Sequence, residues 1–283
     1  TVFLNFNPNF AQPEQYLFNN FMFKPFKVKG DGYNPTLDVT FDGVRILNRD
    51  IVSSRPNIQI KLTDNNKFML LDDTSLMKVR IRFPSDVIRE YRFDNDTLRF
   101  IPAAATNGSG ENTASVEFHP SFIEDGFYEL IVSGEDRSGN STGLIEYKVT
   151  FSVVNKPMIS NLLNYPNPFT TSTAFVFTLT GSELPQNMKI QILTITGKVV
   201  REITKEELGP IRIGRNITDF KWDGTDQYGQ KLANGVYLYR VVTNLNGKSL
   251  DKLELDGLNG DRYSDKSTDK YFKSGYGKMY LMR

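Results

Sequence analysis

Of the side chains that most often do chemistry, cysteine is absent and histidine occurs once, as His119. That removes thiolate nucleophiles, zinc–thiolate centres and disulfides together, and one imidazole excludes a His-cluster metal site. His119 precedes Pro120 at the end of a predicted strand with no nucleophile motif near it, so it reads as a surface residue at a strand end rather than a general base. Neither a Gly-x-Ser-x-Gly elbow nor a phosphate loop occurs. Carboxylates remain: Asp72 with Asp73, Asp94 with Asn95 and Asp96, and Asp256 with Asp261, Asp265 and Asp269 offer the oxygen donors that Ca2+ takes. The middle cluster lacks the Gly and distal Glu of an EF-hand loop, and Arg262, Lys266 and Lys270 interleave the last. Asp and Asn are also the standard turn residues, and the turn reading outweighs the cation reading, so no cofactor is expected and Ca2+ is the one candidate ion. Tyr237 and Tyr239 alternate after Gly235; a sugar platform is one use for such a stripe, core and cross-strand packing the stronger one. With no nucleophile and base written together, the chain is expected not to be an enzyme.

The elements that must position these residues read as strands. The chain has 283 residues, 39% of them apolar, room for two domains with real cores. Its 34 Lys+Arg against 33 Asp+Glu leave a net charge of +1, so no global field draws it to nucleic acid or an anionic membrane. No run approaches the ~18 apolar residues of a membrane helix, and the start at Thr1 lacks a basic leader region, which suggests a processed or cut chain. Residues 1–34 form an aromatic-rich arm: eight aromatics but only Glu14 and Lys24 as charges lie within residues 1–26. Such a segment is expected to be extended and to lie on its own chain or on a missing upstream domain. From residue 35, period-two runs at 37–41, 58–62, 79–83, 115–118, 128–133 and 145–153, separated by turn signals, predict an Ig-like sandwich over residues 35–156. Phe41, Ile60, Ile81 and Ile131 are its expected core.

Asn155-Lys156-Pro157 interrupts the pattern and opens a linker over 157–163. A second all-β domain over 164–283 is predicted from runs at 175–179, 189–195, 198–204, 217–222 and 236–243, with Thr196-Gly197 as a two-residue hairpin spacer. A polar excursion at 250–277 separates these from a last strand, Lys278, Met279, Tyr280, Leu281, Met282 and Arg283. Both faces of that strand are apolar, which predicts burial on both sides. The fold class is therefore all-β, two tandem Ig-like antiparallel sandwiches behind an aromatic-rich arm.

Two motifs stand out in the second domain: Asn164-Tyr165-Pro166-Asn167-Pro168-Phe169, and the run from Trp222-Asp223-Gly224-Thr225-Asp226 through Tyr228-Gly229 to Gly235-Val236-Tyr237. On these the chain resembles, over residues 161–249 and the terminal strand, the C-terminal sorting domain of Bacteroidetes proteins exported by the type IX secretion system. The same core resembles the Ig-like module of the flagellar hook-cap protein. Residues 35–155, with Asp42-Gly43-Val44 and Asp50-Ile51-Val52, resemble the Ig-like domain behind the catalytic domain of gingipain-family surface peptidases and in the type IX sortase. In one respect the chain departs from the family: the last strand follows a long excursion rather than a short turn.

The motif residues are expected to be structural. Pro166 and Pro168 hold the entry segment extended, Phe169 plugs the sandwich, Trp222 ends a core strand, and Asp223-Gly224, Asp226 and Gly229 make the turns leading into Gly235, Val236 and Tyr237. What the resemblance implies is an address: recognition by an outer-membrane shuttle β-barrel and the translocon, with the sortase a further partner. It also implies passage through the periplasm to the cell surface, and any gingipain-like peptidase belongs to a parent beyond this chain. Residues 278–283 are the expected contact with shuttle or translocon, the alternative being that the upstream tail around Tyr271-Phe272 covers the second face. Competing readings are a Ca2+- or glycan-binding adhesin module and the tail of the sortase itself; an axial flagellar protein is disfavoured because helical flanks are missing.

Overall fold

The computed structural model describes all residues except 10, 17, 28–29, 95, 105–110, 161 and 253–274. The chain divides into two units, Thr1–Tyr33 and Asn34–Arg283.

The first unit is a ribbon rather than an extended arm. Strands β1 (Val2–Asn5) and β2 (Phe21–Lys24) pair antiparallel, with Val2 opposite Lys24 and Asn5 opposite Phe21. Phe3 lies 5.7 Å from Phe21 and 5.0 Å from Phe23, centroid to centroid, so aromatic cross-strand pairs hold the ribbon. Glu14, one of the two charges within residues 1–26, ties the connection together: its carboxylate accepts from the side-chain amides of Asn7 at 3.0 Å and Asn20 at 2.6 Å.

The second unit holds two β-sandwiches in tandem. In the first, β3 (Thr36–Phe41), β5 (Ile58–Asp64), β9 (Asn112–Phe118) and β8 (Leu98–Ile101) form one sheet in that order. The facing sheet runs β4 (Asp50–Val52), β11 (Tyr147–Val153), β10 (Gly126–Gly134), β6 (Met77–Arg82), β7 (Ile88–Tyr91). All pairs are antiparallel except β4 with β11, which is parallel. The period-two runs became these strands because one face of each could be buried: Ile58, Ile60 and Leu62 of β5 meet Val79 and Ile81 of β6 in a core with Phe41, Phe118 and Phe151. Ile131 is buried as expected, but on the opposite face; Leu130 and Val132 take the core positions, while Ile131 sits between the register partners Arg80 and Lys148, on whose side of the sheet long aliphatic stems are available.

The expected linker at 157–163 is part of the second sandwich. Its β12 (Met158–Ile159) and the start of β13 (Leu163–Tyr165) both run along β14 (Ala174–Leu179), and Thr180 fastens the entry by donating to Lys156 O at 2.6 Å and accepting from Met158 N at 3.0 Å. β14 also pairs β17 (Gly214–Ile217), and β12 pairs β19 (Asp251–Lys252) in parallel. The facing sheet is β16 (Val199–Ile203), β15 (Asn187–Thr194), β18 (Gly235–Asn244), β20 (Gly277–Leu281).

Three details differ from expectation. The hairpin between β15 and β16 has a four-residue loop, 195–198, closed by Thr194 N–H to Lys198 O, and a register shift at Ile192 and Leu193 accommodates it. The expected strand 217–222 stops at Ile217, because the Thr218 hydroxyl accepts from Phe175 N and donates to Phe220 O, where a ladder would otherwise continue. A single helical turn, α1 (Lys205–Leu208), is set by a Thr204/Glu207 capping box and buries Leu208 in the core, too short to leave a periodic signal. The two sandwiches abut directly: Gly181 N–H donates to Val154 O at 2.9 Å, and a Cβ on Gly214 would stand 2.4 Å from Ile51 O, so glycine is required there.

Candidate functional site

The two motifs converge on one end of the second sandwich. Trp222 is fully buried with Phe169 at 5.5 Å and Tyr237 at 5.6 Å between ring centroids, and its indole N–H donates to Thr225 O at 2.8 Å. Phe169 is thus the plug the sequence suggested. The turns after Trp222 are built by carboxylates accepting nearby donors: Asp223 Oδ1 from Thr225 N–H at 3.1 Å and its hydroxyl at 2.7 Å, Asp226 Oδ1 from Tyr228 N–H and Gln230 N–H at 2.9 and 2.8 Å. Burial pushes the Asp223 carboxyl up, but the two Thr225 donors and Arg283 outweigh it and its pKa is lowered. Gly224 and Gly229 take the left-handed conformations these turns need, at φ 79° and 80°. Gly235 and Val236 then open β18, and Tyr237 donates to Ala233 O at 2.7 Å.

Pro166 and Pro168, both preceded by cis peptide bonds, bracket Asn167. This segment lies along the outer edge of β20. Asn167 acts as a side-chain strand: its amide donates to Lys278 O at 3.0 Å and its carbonyl accepts from Tyr280 N–H at 3.0 Å. Phe169 continues the pairing through its backbone, donating to Tyr280 O at 3.0 Å and accepting from Met282 N–H at 2.9 Å. The edge of the last strand is therefore closed by the chain itself. Asn167→Ala removes both side-chain bonds and is expected to cost about 1–3 kcal/mol in a denaturant melt. Asn167→Asp keeps an acceptor for Tyr280 but turns a carboxylate oxygen toward the Lys278 carbonyl, so it should cost at least as much as the alanine variant.

The last strand alternates rather than being buried on both sides. Met279 and Leu281 are core residues, whereas Lys278, Tyr280 and Met282 face outward, with Tyr280 38% and Met282 57% exposed. Tyr271 and Phe272, the alternative cover, lie outside the described residues. Arg283 has a role the sequence did not disclose: its guanidinium donates to Leu232 O and Asp223 O at 3.1 and 2.6 Å, and its backbone is clasped by the Asn234 amide. A terminal cation capping orphan turn carbonyls has no local pattern by which it could be found.

Among the described residues weighed for Ca2+, the carboxylates of Asp72, Asp73 and Asp94 have partners within the chain. Asp94 accepts from the N–H groups of Asp96, Thr97 and Leu98, and the Leu98 and Thr97 bonds hold its carboxyl below the ordinary range. Asp73 accepts from Ser75 N–H, while Asp72 pairs with Arg137. Asp256, Asp261, Asp265 and Asp269 lie outside the described residues. His119 is exposed, its N–H on Thr97 O. Tyr239 does not form a platform; it is buried against Phe175, which raises its hydroxyl pKa.

Fold and motif together define an Ig-like sandwich module. Residues 164–247 match the family model described as the FlgD Ig-like domain. No curated protein matches the chain. Among solved structures it is similar to dimeric latent PorU from Porphyromonas gingivalis, at 20% identity and TM-score 0.34 over 79% of this chain and 20% of that one. It is also similar to the fibronectin(III)-like modules of Clostridium thermocellum CbhA, at 13% identity and TM-score 0.22 over 80% and 100%. A third is the C-terminal domain of the AgI/II polypeptide BspA from Streptococcus agalactiae, at 9% identity and TM-score 0.25 over 77% and 98%. The chain thus spans about a fifth of the PorU chain.

Proposed function

We propose that this chain is a sorting and anchoring module preceded by an Ig-like spacer, carried by a cell-surface protein exported through the type IX system. It is non-enzymatic and needs no cofactor. Its partners are the outer-membrane shuttle β-barrel and the translocon, which receive it after passage through the periplasm, with the sortase acting on it there. The observation that carries this reading is the terminal strand: the Asn-Tyr-Pro-Asn-Pro-Phe segment spends its hydrogen bonds on closing that strand's edge, while Tyr280 and Met282 stay exposed on its outer face. A strand so held offers side chains, not backbone, to a partner. Of the residues at the terminus, Lys278, Tyr280 and Met282 make the contact; Met279 and Leu281 serve the core and Arg283 the turns.

The test is to fuse the whole chain behind a reporter carrying a periplasmic export signal, in a bacterium with a type IX system. Surface display of the reporter is expected, and its retention in the periplasm as a folded fusion would reject the proposal.

A further inference from the structure

A cleft of about 800 Å3 opens on the outside of the second sandwich, where β13, β14 and β17 approach β20. Its floor is unusual for an outer sheet face, where alternation normally places polar residues. Leu163, Val176 and Ile217 are register partners across three strands and form an aliphatic row, flanked by Tyr165 and Tyr280. A continuous apolar run in β14, Ala174-Phe175-Val176-Phe177, supplies both this row and the core beneath it.

Two features restrict what fits. First, among the described residues the only charges lining the cleft are cations on different walls, Arg215 of β17 and Lys278 of β20, no carboxylate lines it, and neither cation has an ion pair. Second, the edge of β20 at the cleft is already used, closed by Asn167 and Phe169. An extended peptide would find no ladder to join on that wall, whereas a chain without backbone donors loses nothing by its absence. A mostly apolar cleft of this size with two like charges matches a small ligand with an apolar body and one anionic head.

We propose that this cleft binds a long-chain anionic amphiphile of the fatty-carboxylate type, its aliphatic body along Leu163, Val176 and Ile217 and its head held by Arg215 and Lys278. The proposal shares Lys278 and Tyr280 with the export contact but does not need that reading, and its test variants, at Arg215 and Ile217, lie off the terminal strand. Both side chains are exposed, so replacing them leaves the core intact.

The experiment is calorimetric titration of the full chain with laurate and with dodecyltrimethylammonium, the same chain length with the opposite charge, both below micelle formation. Saturable binding of one laurate per chain is expected, with the cation about tenfold weaker or worse. Arg215→Glu should weaken laurate about tenfold and Ile217→Ser severalfold, with unchanged melting temperatures. Absence of saturable laurate binding, equal binding of the cationic amphiphile, or wild-type affinity in Arg215→Glu would each overturn the proposal. So would laurate binding that arises only after residues 253–274 are replaced by a Gly–Ser linker, because the cleft would then belong to the chain's own segment.

Discussion

Removal of residues 278–283 is expected to unfold the second sandwich, not merely to blunt its recognition. β20 pairs with β18 over five residues, from Gly235 opposite Leu281 to Tyr239 opposite Gly277, and it buries Met279 and Leu281 completely or nearly so. Losing a buried Met or Leu side chain costs about 2–5 kcal/mol each, and the two together approach the ~5–15 kcal/mol that holds a typical domain. The deletion also strips the edge partners from Asn167 and Phe169 and the Arg283 cap from the turns around Asp223 and Leu232. Far-UV dichroism with thermal melting should show strand signal already lost near room temperature, from the unfolded second sandwich, and one remaining transition from the first. A truncated chain that melts like the wild type would mean that the terminal strand is dispensable to the fold.

Trp222→Ala is the single substitution with the largest expected effect. The indole is the centre of the motif core, enclosed by Phe169 and Tyr237, and its N–H satisfies Thr225 O within the turn that starts at Asp223. Replacing a buried Trp by Ala costs about 3–5 kcal/mol through lost packing and the cavity left behind. The orphaned Thr225 carbonyl adds to that. Because this is the only tryptophan, its emission reports directly on the site in the wild type: a blue-shifted buried spectrum that turns red in one transition with denaturant is expected. A water-exposed spectrum in native buffer would contradict the packing described.

The class of the fold was legible because period-two burial is written locally: every expected run of the first sandwich became a strand, and Trp222, Phe169 and Tyr237 met in the second core. Short strands such as Asp50–Val52 and Leu98–Ile101 escaped because three or four residues carry too little pattern and are recruited by their neighbours. Ile131 shows the limit within a strand: Leu130, Ile131 and Val132 are all apolar, so alternation alone could not say which face was core. At the terminus the same ambiguity led to an expectation of two-sided burial, whereas Tyr280 and Met282 are partly exposed. The site was legible as a motif but not as a device. That Asn167 would stand in for a strand partner, or that Arg283 would clamp turns 60 and 51 residues away, depends on contacts between segments far apart in sequence, for which spacing holds no signal. The aliphatic row of Leu163, Val176 and Ile217 likewise exists only once three strands are set in register.

Deletion cannot separate folding from recognition here, but the outer face of β20 can. The most direct measurement of the central claim is surface display of a reporter fused to the chain with Lys278→Glu, Tyr280→Ser and Met282→Ser combined, compared with the unaltered fusion in a bacterium with a type IX system. These side chains point away from the core, and Arg283, Met279 and Leu281 stay in place. The account predicts that the purified variant keeps its melting temperature while the fusion is lost from the cell surface; display at the wild-type level by the folded variant would contradict it.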